Sequence, residues 1–240
     1  MRVPGGKSVY GASVGILMLD AQFPRIPGDI GNAQTWDFPV LYRIVHDASP
    51  ERVVGQKAEG LLPAFIAAAQ EMVSEGADGI TTTCGFLSIF QTEIAKAVNV
   101  PVATSSLMQV PLVNRLLPPG KRCAVLTISA SALTPEHLIA ADVPLETPVG
   151  TTEGGMTFTR SILGDAYHMD VEAARADNVA AAEALLQTHP ETGAIVLECT
   201  NMAPYAADIS RATGVPVFSM VSFVEWFQSG LMPKAYPLHG

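Results

Sequence analysis

Two short stretches, GITTTCGFLSIF at 79–90 and GAIVLECTNM at 193–202, constrain this chain more than anything else in it. Each opens on a β-branched or apolar run that favours a strand, and each run ends at a cysteine, Cys84 or Cys199. An isoleucine stands four residues before each cysteine (Ile80 and Ile195), and the tripeptide VPV begins sixteen residues after it, at Val100 and at Val215. Between cysteine and VPV lie helix-length segments, 86–98 and 203–212, the second closed by Gly214 as an expected C-cap. Each unit therefore reads strand, cysteine turn, helix, strand. The echo extends upstream: VGILMLD at 14–20 and CAVLTIS at 123–129 are apolar runs that end on a polar residue. Each is followed by a long helical stretch before its cysteine strand, 56–76 in the first case and 159–188 in the second.

Alternating strands and helices, with strands that are continuously apolar, indicate parallel sheets covered on both faces. The expected fold class is α/β, with two similar doubly wound parallel-sheet lobes related by a pseudo-twofold axis. The N-terminal lobe is placed at 1–117 and the C-terminal lobe at 118–240, with the C-terminal segment free to pack back on the first lobe. Open α/β sheets bind ligands beyond the carboxyl ends of their strands. Both cysteines stand at such ends, so Cys84 and Cys199 are expected to face each other across the cleft between the lobes.

Composition narrows the function classes. Asp and Glu outnumber Lys and Arg by 23 to 14, a net charge of −9, which argues against nucleic acid or an anionic membrane as partner. No stretch approaches the ~20 apolar residues of a spanning helix, and the run 14–19 ends at Asp20, reading as a strand and not as a signal-peptide core. Three cysteines, an odd number, argue against a disulfide framework and for a cytoplasmic setting with free thiols. The five histidines form no metal-ligand spacing, and no glycine-rich phosphate loop or Gly-x-Ser-x-Gly elbow is present. Neither a cofactor nor a metal is expected.

A free thiol has a pKa of about 8.5, and the N-terminus of a helix lowers it. One thiolate can remove a proton from carbon while the opposite thiol delivers one to the other face. The carbanion then needs preorganised donors, which Gly85 and Phe86 after the first cysteine, and Thr200 and Asn201 after the second, are placed to offer. Cys123, alone at the start of a strand, reads as a small buried hydrophobe. Asp20 and Ser129 end the first strand of each half and so approach the cleft, although Ser129 and Ser131 equally suit the cap of a helix around 135–141. The Pro- and Gly-rich segment 21–39 is long enough for a binding loop at the cleft mouth. Asn32, Trp36 and Arg25 are its candidate contacts, with a surface meander pinned by Trp36 and Phe38 as the alternative.

The paired cysteine turns resemble those of the aspartate/glutamate/hydantoin racemase superfamily, in which each of two similar α/β lobes gives one cysteine at a strand end. ECTNM resembles the family's second motif of cysteine, threonine and a polar residue. Cys84-Gly85-Phe86 departs from the cysteine-asparagine-threonine of its amino-acid racemases, and Asn201 stands where glutamate racemases have histidine. GFLSIF resembles the corresponding turn of the arylmalonate decarboxylases, which have glycine in place of the first cysteine; maleate isomerases are also similar and use one cysteine as nucleophile. An acidic residue near the first strand end of the amino-acid racemases makes Asp20 a candidate contact for a substrate amine. With both cysteines present, the resemblance implies a cofactor-independent racemase or epimerase. It would act on a small-molecule amino acid or hydantoin-like substrate next to a carboxylate or carbonyl, and a homodimer is allowed. The alternatives are a decarboxylase or cis–trans isomerase that uses mainly Cys199, and a two-lobed binding protein without catalysis.

Overall fold

The computed structural model describes residue 2 and residues 5–236. The first sheet comprises β1 (Val14–Leu19), β2 (Val40–Val45), β3 (Gly79–Thr82) and β4 (Val102–Ala103), all parallel, in the order β2-β1-β3-β4. The second comprises β5 (Arg122–Thr127), β6 (Val149–Thr151), β7 (Thr192–Leu197) and β8 (Val217–Phe218), again parallel, in the order β6-β5-β7-β8. The two orders are the same, so the internal echo in the sequence is an echo in topology. The central strands are buried almost throughout, as apolar runs covered on both faces must be. The two-lobed α/β architecture expected from the sequence is present.

The helices are α1 (Leu62–Glu75), α2 (Gln91–Ala97), α3 (Val110–Leu116), α4 (Pro135–Ala140), α5 (Phe158–Leu163), α6 (Val171–Thr188), α7 (Ala206–Thr213) and α8 (Met220–Leu231). Gly214 closes α7 in the left-handed conformation at φ 70°, as its position demands. The last helix, α8, lies on the first sheet. Met220, Phe223 and Val224 join Val14 and Ile16 in one cluster, and a side chain at Gly79 would meet Leu231 and Phe227 at 2.6–2.7 Å.

Two expected helices are broken, and two begin in another geometry. The stretch 56–76 begins with left-handed Lys57, Ala58 and Gly60, and α1 starts only at Leu62 with Pro63 in its first turn, where proline is tolerated. Ahead of it, Glu51–Gly55 forms a short π-helical turn. The stretch 159–188 splits at Gly164 and Asp165 (φ 49°), and α6 restarts at Asp170, whose side chain accepts from Glu172 and Ala173 N–H. Each helix after a cysteine begins with six residues of 3₁₀ geometry, Gly85–Phe90 and Thr200–Tyr205, before α2 and α7. The two edge strands β2 and β6 carry no strand pattern in the sequence; β2 is only half-buried and β6 is three residues long.

The lobes are joined through the carboxyl ends of their strands. Thr200 Oγ1 donates to Thr83 O at 2.8 Å, Ser106 Oγ to Leu197 O at 2.5 Å and Ser88 Oγ to His137 O at 3.0 Å. A single hydrophobic cluster runs through both lobes and contains both cysteines.

Candidate active site

Strands β3 and β7 end just short of Cys84 and Cys199, and each cysteine is the residue from which a 3₁₀ turn departs. The turn aims backbone N–H groups at the sulfur: those of Phe86 and Leu87 at Cys84, that of Asn201 at Cys199. Both cysteines line one cavity, walled by Phe23, Phe86, Ile128, Ile162 and Leu163. Its volume is about 20 Å³, room for about one water. An apolar groove of about 590 Å³ between α3 and α8 has no titratable side chain in its lining and shares no residue with this cavity.

The dominant charge in the cavity is Glu198, between β7 and Cys199. Its side chain is fully buried; Oε2 accepts from Thr127 Oγ1 at 2.7 Å, while Oε1 has no partner among the described residues. A Cβ at Gly85 would lie 2.3 Å from Glu198 Oε1 and from its carbonyl oxygen. Glycine is therefore required where the first cysteine turn passes over this carboxylate. Burial pushes the Glu198 carboxyl up to about 7, against the opposing hydrogen bonds of Thr127 and of the Ile128 N–H. Sequence reasoning passed over Glu198, although the signal was present: it is the only charged residue in the run 192–202.

Both thiols are held up chiefly by burial and then by the Glu198 charge. The Arg25 guanidinium relieves Cys84, whereas Cys84 and Asp29 add to the burden on Cys199. Cys199 Sγ donates to Asn201 Oδ1 at 3.5 Å, and Asn201 Nδ2 donates to the Asp29 carboxylate. Asp29 is itself buried and paired with Arg25 at 3.0 Å.

The remaining sequence candidates divide. Phe86 and Asn201 line the cavity. The Thr200 hydroxyl is committed to Thr83. Asp20 lies outside the lining, half-exposed, with His46 Nδ1 3.4 Å from its carboxylate. Asn32 caps the turn Ala33–Thr35 and donates to Arg25 O, and Trp36 donates to Tyr42 OH. The long loop reaches the site through Phe23 in the wall and through the Arg25–Asp29 pair behind Asn201. Ser129 and Ser131 hold the Glu153 carboxylate in a neighbouring recess. Cys123 is buried within β5, its thiol pushed up to about 12 by desolvation. Among the described residues no group of three or more His, Cys, Asp or Glu could hold a metal ion, and no helix is long and apolar enough to cross a membrane.

No protein-family profile matches the chain. A dimethylsulfoniopropionate lyase of Durusdinium sp. clade D is 28% identical over 242 residues, covering 95% of this chain and 79% of that protein. Dimethylsulfoniopropionate lyase 7 of Emiliania huxleyi (strain CCMP1516) is 28% identical, covering 92% of this chain and 67% of that protein. These relatives are lyases, and they overturn the expectation of a racemase or other isomerase for amino acids or hydantoins. The physical reason is that two thiols in a cleft determine how a proton is removed, not whether the resulting carbanion is reprotonated or expels a group. Among solved structures, a liganded double mutant of arylmalonate decarboxylase superposes with a TM-score of 0.65 at 17% identity, covering 94% of this chain and 96% of that one. Picrophilus torridus aspartate racemase superposes at 0.55 with 15% identity, covering 92% and 93%. The chain has the fold of the aspartate/glutamate/hydantoin racemase superfamily.

Proposed function

We propose that this chain is a cofactor-independent lyase for a β-sulfonio carboxylate of the dimethylsulfoniopropionate type, which it splits into a dialkyl sulfide and an α,β-unsaturated carboxylate. The observation that carries this reading is the match to dimethylsulfoniopropionate lyases along 95% of the chain, joined to two thiols that line one buried cavity. The substrate's α-proton is weakly acidic, and its β-carbon carries a cationic sulfur that can leave as a neutral molecule. The leaving group is thus the electron sink, and no other is needed. Cys84, whose thiolate the Arg25 guanidinium favours, acts as the base. As its sulfur takes the α-proton, the C–H electron pair becomes the new carbon–carbon double bond, and the C–S pair departs with the sulfide. Cys199 stays protonated and donates to the substrate carboxylate while it carries enolate-like charge, a stabilisation that is strongest in the transition state. The proton collected by Cys84 then passes to solvent, which restores the thiolate.

The test is incubation of the purified protein with dimethylsulfoniopropionate, with dimethyl sulfide measured by headspace gas chromatography and acrylate by proton NMR. Equimolar release of both is expected. Cys84→Ser should lower kcat by roughly 10³-fold and Cys199→Ser by about 10²-fold, within the usual range for a positioned acid or base. Deuterium uptake at the α-carbon in D₂O without sulfide release would sink the lyase reading.

A further inference from the structure

Glu198 is not needed as the base, yet the fold goes to some length to keep it. A buried carboxylate without a cation costs several kcal/mol, and here one oxygen lacks even a hydrogen-bond partner among the described residues. Every element packed around it has been built without a positive charge to match. Thr127 at the end of β5 donates to Oε2, Gly85 and Cys84 begin the turn that covers Oε1, and Ser106 bonds to the Glu198 carbonyl oxygen. Cys84 and Cys199 line the pocket with Glu198, and the other charges felt at the thiols are those of Arg25 and Asp29. Of these, Arg25 is already paired with Asp29. With Glu198 ionised, the pocket is left one negative charge in excess. The cavity itself is walled by apolar side chains, two of them the rings of Phe23 and Phe86, and aromatic rings attract alkylated cations. Arg25 already lies 4.5 Å from the centroid of the Phe23 ring.

We propose that Glu198 is the counter-ion for an onium head group, so that the site selects substrates whose leaving group bears a permanent positive charge. This rests on the lyase reading and says which part of the substrate the site recognises. The attraction is present in the bound substrate and disappears as the sulfide leaves neutral. It is therefore ground-state binding, which lowers KM without raising kcat, and it releases the neutral product.

The experiment compares two unreactive ligands of like shape by isothermal titration calorimetry at pH 8: 3-(trimethylammonio)propionate and its uncharged carbon isostere, 4,4-dimethylpentanoate. Wild type is expected to bind the cation at least tenfold more tightly, and Glu198→Gln is expected to bind the two within about twofold. In turnover of dimethylsulfoniopropionate, Glu198→Gln should raise KM at least tenfold. Equal affinities in wild type, binding of neither ligand, or a preference that survives in Glu198→Gln would overturn the proposal. Should Glu198→Gln fail to fold, wild type alone decides: the preference must shrink at pH 5, where the carboxyl is protonated, and persistence there overturns it. The two readings fail separately. A cation preference without sulfide release sinks the lyase reading and leaves the counter-ion, whereas sulfide release without a preference does the reverse.

Discussion

Glu198 and Gly85 define each other. The carboxylate fills the space that a side chain at 85 would need, and Gly85→Ala would place a methyl 2.3 Å from two of its oxygens, one of them backbone. Backbone cannot rotate away, so the substitution should cost about 1–3 kcal/mol as an overpacked site does, read as a lowered Tm by calorimetry. Glu198 also makes stability depend on pH. Its carboxyl rises from an ordinary 4.5 to about 7 on folding, so between those values the folded chain holds more protons than the unfolded one. Stability contributed by this group is full below pH 4.5 and is lost as pH climbs through 7, a difference of about 3 kcal/mol. Glu198→Gln should flatten that fall, and thermal melts at pH 5 and pH 8 measure it; an equally steep fall in the variant would show that other groups set it. The cysteines were legible in the sequence because each closes a run of strand-forming residues in matching units. Glu198 stood out only as the one charge in an apolar run; its meaning lies in what is missing around it, and that is visible only once the chain is folded. Asp20 shows the converse: its strand end was legible, but the approach of His46 to its carboxylate at 3.4 Å was not.

At the scale of elements, the central strands could be read because burial on both faces leaves an unbroken apolar run. Edge strands face partly to solvent, and β2 and β6 lost that signature. The helix breaks were harder. A left-handed aspartate at 165 does the work usually left to glycine, and the 3₁₀ starts after the cysteines have the same spacing of apolar residues as a helix. The contact between the two cysteine turns is testable here. Thr200 Oγ1 donates to the carbonyl oxygen of Thr83, both residues buried. Thr200→Val keeps the shape but leaves that carbonyl without its side-chain donor, which should cost about 1–3 kcal/mol. Urea unfolding reads the loss in the midpoint. Because the bond ties one cysteine turn to the other, lyase activity should fall further than stability explains; a full rate at a temperature where the variant is folded would show that the tie serves stability alone.

For the whole molecule the question is access. A cavity of about 20 Å³ does not hold a substrate of eight heavy atoms, so the lobes and loops around it must part before binding. The wall supplied by the first lobe's long loop is Phe23, and its backbone is latched to the second lobe: Asp165 Oδ1 accepts from Gln22 N–H at 2.6 Å and from Phe23 N–H at 3.0 Å. Asp165 stands at the break between α5 and α6, two residues from Leu163 in the opposite wall. One carboxylate therefore ties together the two segments that must separate. Asp165→Ala removes both bonds while leaving the thiols and Glu198 untouched. Iodoacetamide should then label Cys84 and Cys199 at least tenfold faster than in wild type, followed peptide by peptide in a mass spectrometer. Cys123, buried in β5 and away from the latch, is the internal control and should stay slow in both proteins. Faster labelling of all three cysteines would indicate loosening of the whole fold, and unchanged labelling of Cys84 and Cys199 would show that the cavity opens without the Phe23 loop.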